Sequence, residues 1–145
     1  MADETALPAL AGIVEELAAC PTPPATQAII EIPEASDRLP LPHWPGLDVR
    51  WAPRHGGAHG AGMTSLLAQI LAPRSAAAAV ELDEIDIETT LPWERSEGGA
   101  DGFYAWVAGE SAAVMVIRKH LLQERGLPRA AASLMGYWRL GRVIE

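Results

Sequence analysis

A single cysteine, Cys20, leaves the chain unable to form an internal disulfide, and a reducing cytoplasm is its expected setting. Cations are scarce as well: 11 Lys and Arg stand against 19 Asp and Glu, a formal net charge of −8. A field of that sign repels nucleic acids and acidic headgroups, so no nucleic-acid and no membrane partner is expected, and any anionic ligand has to be met by local groups. No apolar run approaches the roughly twenty residues of a membrane span, and no signal-peptide pattern opens the sequence. Solenoid-type repeats are missing. So are serine-nucleophile motifs, paired catalytic carboxylates and cysteine-histidine dyads, which leaves no residue nominated as catalytic.

What is present is one domain's worth of chain: 145 residues, 49% hydrophobic and 21% charged, an ordinary balance for a globular fold. Residues 3 to 19 place Leu7, Leu10, Val14 and Leu17 at the three-and-four spacing of an amphipathic helix. Asp3 and Thr5 supply cap chemistry there, and Pro8 is tolerable in a first turn. Two short apolar runs, 27 to 32 and 47 to 52, predict strands with a proline-studded loop between them. The glycine-rich turn "PRHGGAHGAG" then leads into a helix at 63 to 71. Residues 80 to 102 are acidic and aperiodic, an edge strand or an ordered loop. "FYAWVA", 103 to 108, predicts another strand, and a helix to Arg125 follows with Val114, Ile117 and Leu121 on one face. Arg118 and Lys119 on that helix read as solvated charge. "AASLMGYW" supplies a last strand. Strands alternating with helices imply an α/β fold, a parallel sheet with helices on both faces.

In such sheets ligands bind at the carboxyl ends of the strands. That edge would gather Glu31, the turn from Arg54 to Gly62, Gly109 with Glu110, and Tyr137 to Gly141. The turn could bring backbone amides to a phosphate at a helix N-terminus, but it matches neither the dinucleotide fingerprint nor the P-loop, and a plain loop also explains it. His55 and His59 lack the companions a metal site requires, so no metal is expected. Glu110, directly after a strand-ending glycine, caps its helix or faces a ligand. The closing "SLMGYWRLGRVIE" sets two aromatics between Gly136 and Gly141. Alternation puts Tyr137 and Arg139 on one strand face and Trp138 on the other. They form terminal core, or they border an aromatic cofactor while Arg139 offers charge to an anion.

Four ordered segments, "DETALPAL", "FYAWVAGE", "IRKHLLQERGL" and "MGYWRLGR", resemble the C-terminal part of the siderophore-interacting protein family, FAD-dependent, NAD(P)H-using reductases of ferric siderophores related to ferredoxin reductases. The resemblance implies a Rossmann-like sheet of the ferredoxin-reductase NAD(P)-binding type. By that resemblance Asp3, Glu4, Thr5, Ala6 and Pro8 line the pyrophosphate and nicotinamide region, and Ala108, Gly109 and Glu110 face the nicotinamide. Tyr137 and Trp138 would lie near the flavin, with Arg139 toward the ferric siderophore. Hydride would pass from NADPH or NADH to flavin, and electrons onward to ferric iron. Glu31 would favour the ribose hydroxyls of NADH, whereas Arg38, Arg54 and His55 could neutralise the extra phosphate of NADPH.

The flavin-binding barrel of that family has no counterpart in these 145 residues, so FAD enters through a flavin domain supplied in cis or in trans. Met1 and Ala2 stand where the family has an apolar first strand, central between those at 27 to 32 and 103 to 108. Without it the flanking strands face a gap, close up, or recruit a strand from another chain. The whole of residues 1 to 145 is therefore read as the nucleotide-binding domain of such a reductase, and as a C-terminal piece of it. Rival readings are a nucleotide- or siderophore-binding module without turnover and an inactive truncated fragment.

Overall fold

The computed structural model describes residues 1 to 72, 81 to 96 and 102 to 143. Helix α1 spans Leu7–Ala18 and begins after the Asp3 to Thr5 segment, not at it. Asp3 Oδ1 accepts both the Thr5 amide, at 2.9 Å, and the Thr5 hydroxyl, at 2.6 Å, a tight local turn that competes with helix. The N-cap is Ala6 without a side-chain cap, and Pro8 falls in the first turn. Two parallel strands follow, β1 (Thr26–Ile32) and β2 (Leu47–Pro53), with Ile30 opposite Trp51. Helix α2 is Ala61–Ile70. Beyond it lie β3 (Trp93–Glu94), β4 (Ala105–Glu110), α3 (Ser111–Arg118) and β5 (Ala132–Trp138). The expected helix to Arg125 changes character after Arg118 into wider π turns over Lys119–Glu124, and Gly126 at φ +76° follows.

The strands form a β1-β2 pair and a β3-β5-β4 group. β4 and β5 run parallel, while β3 runs antiparallel to β5, so the sheet is mixed and not parallel throughout as the alternation implies. β3 comes from the aperiodic acidic insert, outside the alternation of strands and helices, and adds to β5 as a two-residue edge strand. One residue joins the two groups: Ala2 bridges in parallel to Ile30 on one side and to Ala108 on the other.

Helices do cover both faces. Ala28, Ile30 and Ile32 of β1, Ala108 and Met135 pack with Leu7, Leu10 and Val14 of α1. The intervening Ile29, Val107 and Leu134 pack with Met63 and Leu67 of α2 and with Val114 and Ile117 of α3. Arg118 departs from its expected solvated role, for it is only 2% exposed. Its Nε and Nη2 donate to Glu94 Oε1 at 3.0 and 2.8 Å, and Nη1 donates to the Asp83 carbonyl at 3.2 Å, because the acidic insert crosses over this end of α3. Among the described residues no helix is long and apolar enough to cross a membrane.

Candidate functional site

The end of β4 is built around Asp3. This carboxylate is 1% exposed, and its Oδ2 accepts the Glu110 amide and the Trp138 indole N–H, both at 2.8 Å. The approach depends on Gly109. Its φ is +155°, and a Cβ there would stand 2.7 Å from Asp3 Oδ2. Asp3, Thr5, Glu110 and Trp138, from three separate parts of the chain, thus form one hydrogen-bonded unit for which Gly109 leaves room. Ala6 and Ala108 are fully buried beside it, whereas Thr5 and Pro8 are exposed.

Glu110 caps α3, accepting the Ala113 amide at 2.9 Å, and also accepts Arg139 Nη1 at 3.1 Å and the Leu140 amide at 3.2 Å. Burial works to raise its pKa, but these donors outweigh burial and hold the carboxyl below the usual range. Arg139 also donates to Glu88 at 2.8 Å, and the Glu88 and Glu110 carboxylates hold its pKa above the ordinary guanidinium value. Arg139 therefore does not stay with Tyr137, as simple alternation expects. The ladder skips from Gly109 opposite Gly136 to Glu110 opposite Trp138, which leaves Tyr137 as the extra residue of a bulge. Tyr137 packs toward the α1 side and stacks on Trp93 with centroids 6.0 Å apart, while Trp138 meets His59 edge-on at 4.8 Å.

Glu31, at the carboxyl end of β1, has no exposed surface. Its carboxylate is turned inward and accepts the amides of Gly60, Gly62 and Met63 at 2.7, 3.1 and 3.3 Å, together with Arg54 Nη1 at 3.3 Å. The glycine-rich turn that could have received a phosphate spends those amides on this internal anion instead. Arg54 is further paired with Glu4, Nη1 to Oε2 at 2.7 Å and Nη2 to Oε1 at 2.6 Å. The Glu4 hydrogen bond, ahead of the Glu31 contacts, raises the Arg54 pKa against the lowering effect of burial. Burial would raise the Glu4 pKa, but the Arg54 contact outweighs it and the carboxyl sits below its ordinary value. His55, exposed, has Nδ1 2.9 Å from Glu34, and Arg38 is also exposed.

Between the N-termini of α2 and α3 lies a hollow of about 210 Å³, lined by His59, Gly60, Ala61, Thr64, Ala112 and Val116 among others. Gly60, at φ +83°, lets the two helices approach, since a Cβ there would stand 2.3 Å from that of Ala113. His59 Nδ1 is buried without a hydrogen-bond partner. Sequence reading placed His59 within the ligand-edge turn from Arg54 to Gly62 without singling it out as a ligand contact; among the described residues no three His, Cys, Asp or Glu side chains converge on one point. His59 Nδ1 thus faces a hollow whose helix amides are in part already taken, those of Gly60, Gly62 and Met63 by Glu31 and that of Ala113 by Glu110.

The siderophore-interacting protein family matches residues 1–141. The chain belongs to this family. A siderophore utilization protein from T. fusca superposes with a TM-score of 0.64 at 33% identity, over 98% of this chain and 44% of that one. The siderophore-interacting protein from Aeromonas hydrophila shares the fold, with a TM-score of 0.65 at 21% identity, over 98% of this chain and 45% of its own. An uncharacterised protein of Mycobacterium tuberculosis (strain H37Rv) is 30% identical over 145 residues, 99% of this chain and 44% of the relative. The chain thus spans less than half the length of these relatives.

Proposed function

We propose that residues 1 to 145 are the nicotinamide-nucleotide-binding domain of a flavin-dependent ferric-siderophore reductase, a Rossmann-like unit working in the cytoplasm with a separate flavin-binding domain. The observation that carries this reading is the carboxyl-edge hollow, where the buried, unpartnered Nδ1 of His59 adjoins the N-termini of α2 and α3. His59 and Thr64 would contact the pyrophosphate, and Gly109, Glu110 and Trp138 would border the nicotinamide. NADPH or NADH held there would supply a hydride to the flavin of the separate domain, for onward reduction of the ferric siderophore. This chain's own residues orient and enclose the nucleotide. The Asp3 unit keeps Glu110 and Trp138 fixed, so the border is preorganised when the ligand arrives.

Glu31 and Arg54 act in this proposal by shaping the loop and not by touching the ribose. Arg54 is already neutralised by Glu4 and Glu31, so preference for the extra phosphate of NADPH falls to the exposed His55 and Arg38. Calorimetric titration of the folded chain with each nucleotide is the test. Saturable binding of at least one is the expected result; a folded chain that binds neither would favour the inactive fragment.

A further inference from the structure

A nucleotide site in an α/β sheet tells NADH from NADPH at the adenosine ribose, where an acidic side chain accepts the free 2′-hydroxyl or an arginine takes the 2′-phosphate. Both residue types meet at one point of the carboxyl edge, where β1 and β2 end side by side with Ile32 opposite Pro53. Arg54 is held there by its backbone: its amide donates to the Ile32 carbonyl at 2.8 Å, and the His55 amide donates to the Pro33 carbonyl at 3.0 Å. Its guanidinium lies between Glu31, just before the end of β1, and Glu4, in the segment ahead of α1.

The side chains differ in what a ligand can reach. Glu31 has no exposed surface, the Arg54 side chain is 8% exposed, and that of Glu4 is 30% exposed. Glu31 cannot swing out to a ribose without leaving the buried amides of Gly60 and Met63 unpaired. Arg54 cannot grip a phosphate either, because Glu4 holds its Nη1 and Nη2 together at 2.7 and 2.6 Å, the two-pronged contact that a phosphate would need. Glu4 is therefore the member of the cluster that a ligand meets. It is charged at neutral pH, since its carboxyl sits below the ordinary value despite burial.

Charge balance gives the direction of the choice. One guanidinium against two carboxylates leaves the cluster with a net negative charge. A 2′-phosphate, close to doubly charged at pH 7, would meet that charge across a partly dry rim, whereas a ribose hydroxyl can donate to Glu4 without repulsion. The turn after β1 has the same sign: Glu34 and Asp37 outnumber Arg38, and Glu34 lies 2.9 Å from His55 Nδ1. We propose that Glu4, by occupying Arg54, sets this edge for NADH and against NADPH. The proposal rests on the nucleotide-binding reading above and assigns the residue that chooses between the two nucleotides.

The test is calorimetric titration of the full chain and of Glu4→Gln with NADH and NADPH, and with 5′-AMP and 2′,5′-ADP as fragments that carry the ribose difference alone. The chain should bind NADH about tenfold more tightly than NADPH and rank the two fragments in the same order. Raising the salt from about 50 to about 500 mM should narrow the gap, because the repulsion is screened. Glu4→Gln leaves Arg54 paired with Glu31, so no buried charge is stranded; it should bind NADPH about tenfold more tightly than the parent chain does, with NADH changed by about threefold at most. Equal or tighter binding of NADPH by the parent chain would overturn the proposal and leave the nucleotide site standing, as would an unchanged gap in a folded Glu4→Gln. A folded chain that binds neither nucleotide would overturn the nucleotide reading and this choice with it.

Discussion

Gly109 is the residue at which the candidate site is most sensitive to a single atom. Gly109→Ala would place a methyl group 2.7 Å from Asp3 Oδ2 on a backbone at φ +155°, so Asp3 must give up its hydrogen bonds to Glu110 and Trp138 or shift them. The expected loss is about 3 kcal/mol of stability, measured by urea unfolding and accompanied by movement of the Trp138 indole resonance. An unchanged midpoint would mean that the Asp3 unit is looser than described. Asp3 was legible in the sequence as part of a motif, but its partners were not, since nothing local in "DETALP" points to Trp138 at the far end of the chain. Glu31 was legible as an edge residue. Its inward turn was not, because the amides it accepts belong to a helix start roughly thirty residues further on.

At the scale of elements, periodicity located the buried faces of α1 and α3 well, because helix spacing and burial are the same information. It failed for Arg118, whose partners come from the aperiodic acidic insert. Part of that insert, Val80 and residues 97 to 101, lies outside the described residues, and its Trp93–Glu94 forms the edge strand β3. Arg118→Met should leave Glu94, whose side chain is 25% exposed, without its cation and loosen β3 from α3. A cost of about 2 kcal/mol is expected, less than for a fully buried pair because water still reaches Glu94. Pairing Arg118→Met with Glu94→Gln should recover part of it in a double-mutant cycle. Full additivity would show that the contact is energetically idle. The β5 bulge was also beyond sequence reading, since alternation carries no mark of a skipped register.

The whole molecule has a pH dependence of known sign. The Met1 amine titrates near 8.0 when unfolded and about 5 when folded, so between those values the unfolded chain binds the extra proton. Stability should therefore rise by about 4 kcal/mol from pH 5 to pH 8, and acetylation of Met1 should remove this window. Glu4 and Glu110, both held below 4.5, contribute stability above that value and lose it as pH falls through their lowered folded values. Urea midpoints across the range check both windows; stability that falls between pH 5 and pH 8 would contradict the burial of the amine. The α/β class and the two-faced helix covering were legible because alternation of strands and helices dictates them. The mixed sheet was not, since it depends on how strands meet across long separations, whereas a gap between β1 and β4 was among the outcomes the family resemblance implied. The central claim, a nucleotide site at the carboxyl edge, is tested most directly by following the indole N–H resonances of the labelled chain during titration with NADH. The account predicts that the Trp138 signal, anchored on Asp3 and beside His59, moves in a saturable way; movement of Trp106 instead, or of no indole at all, would contradict it.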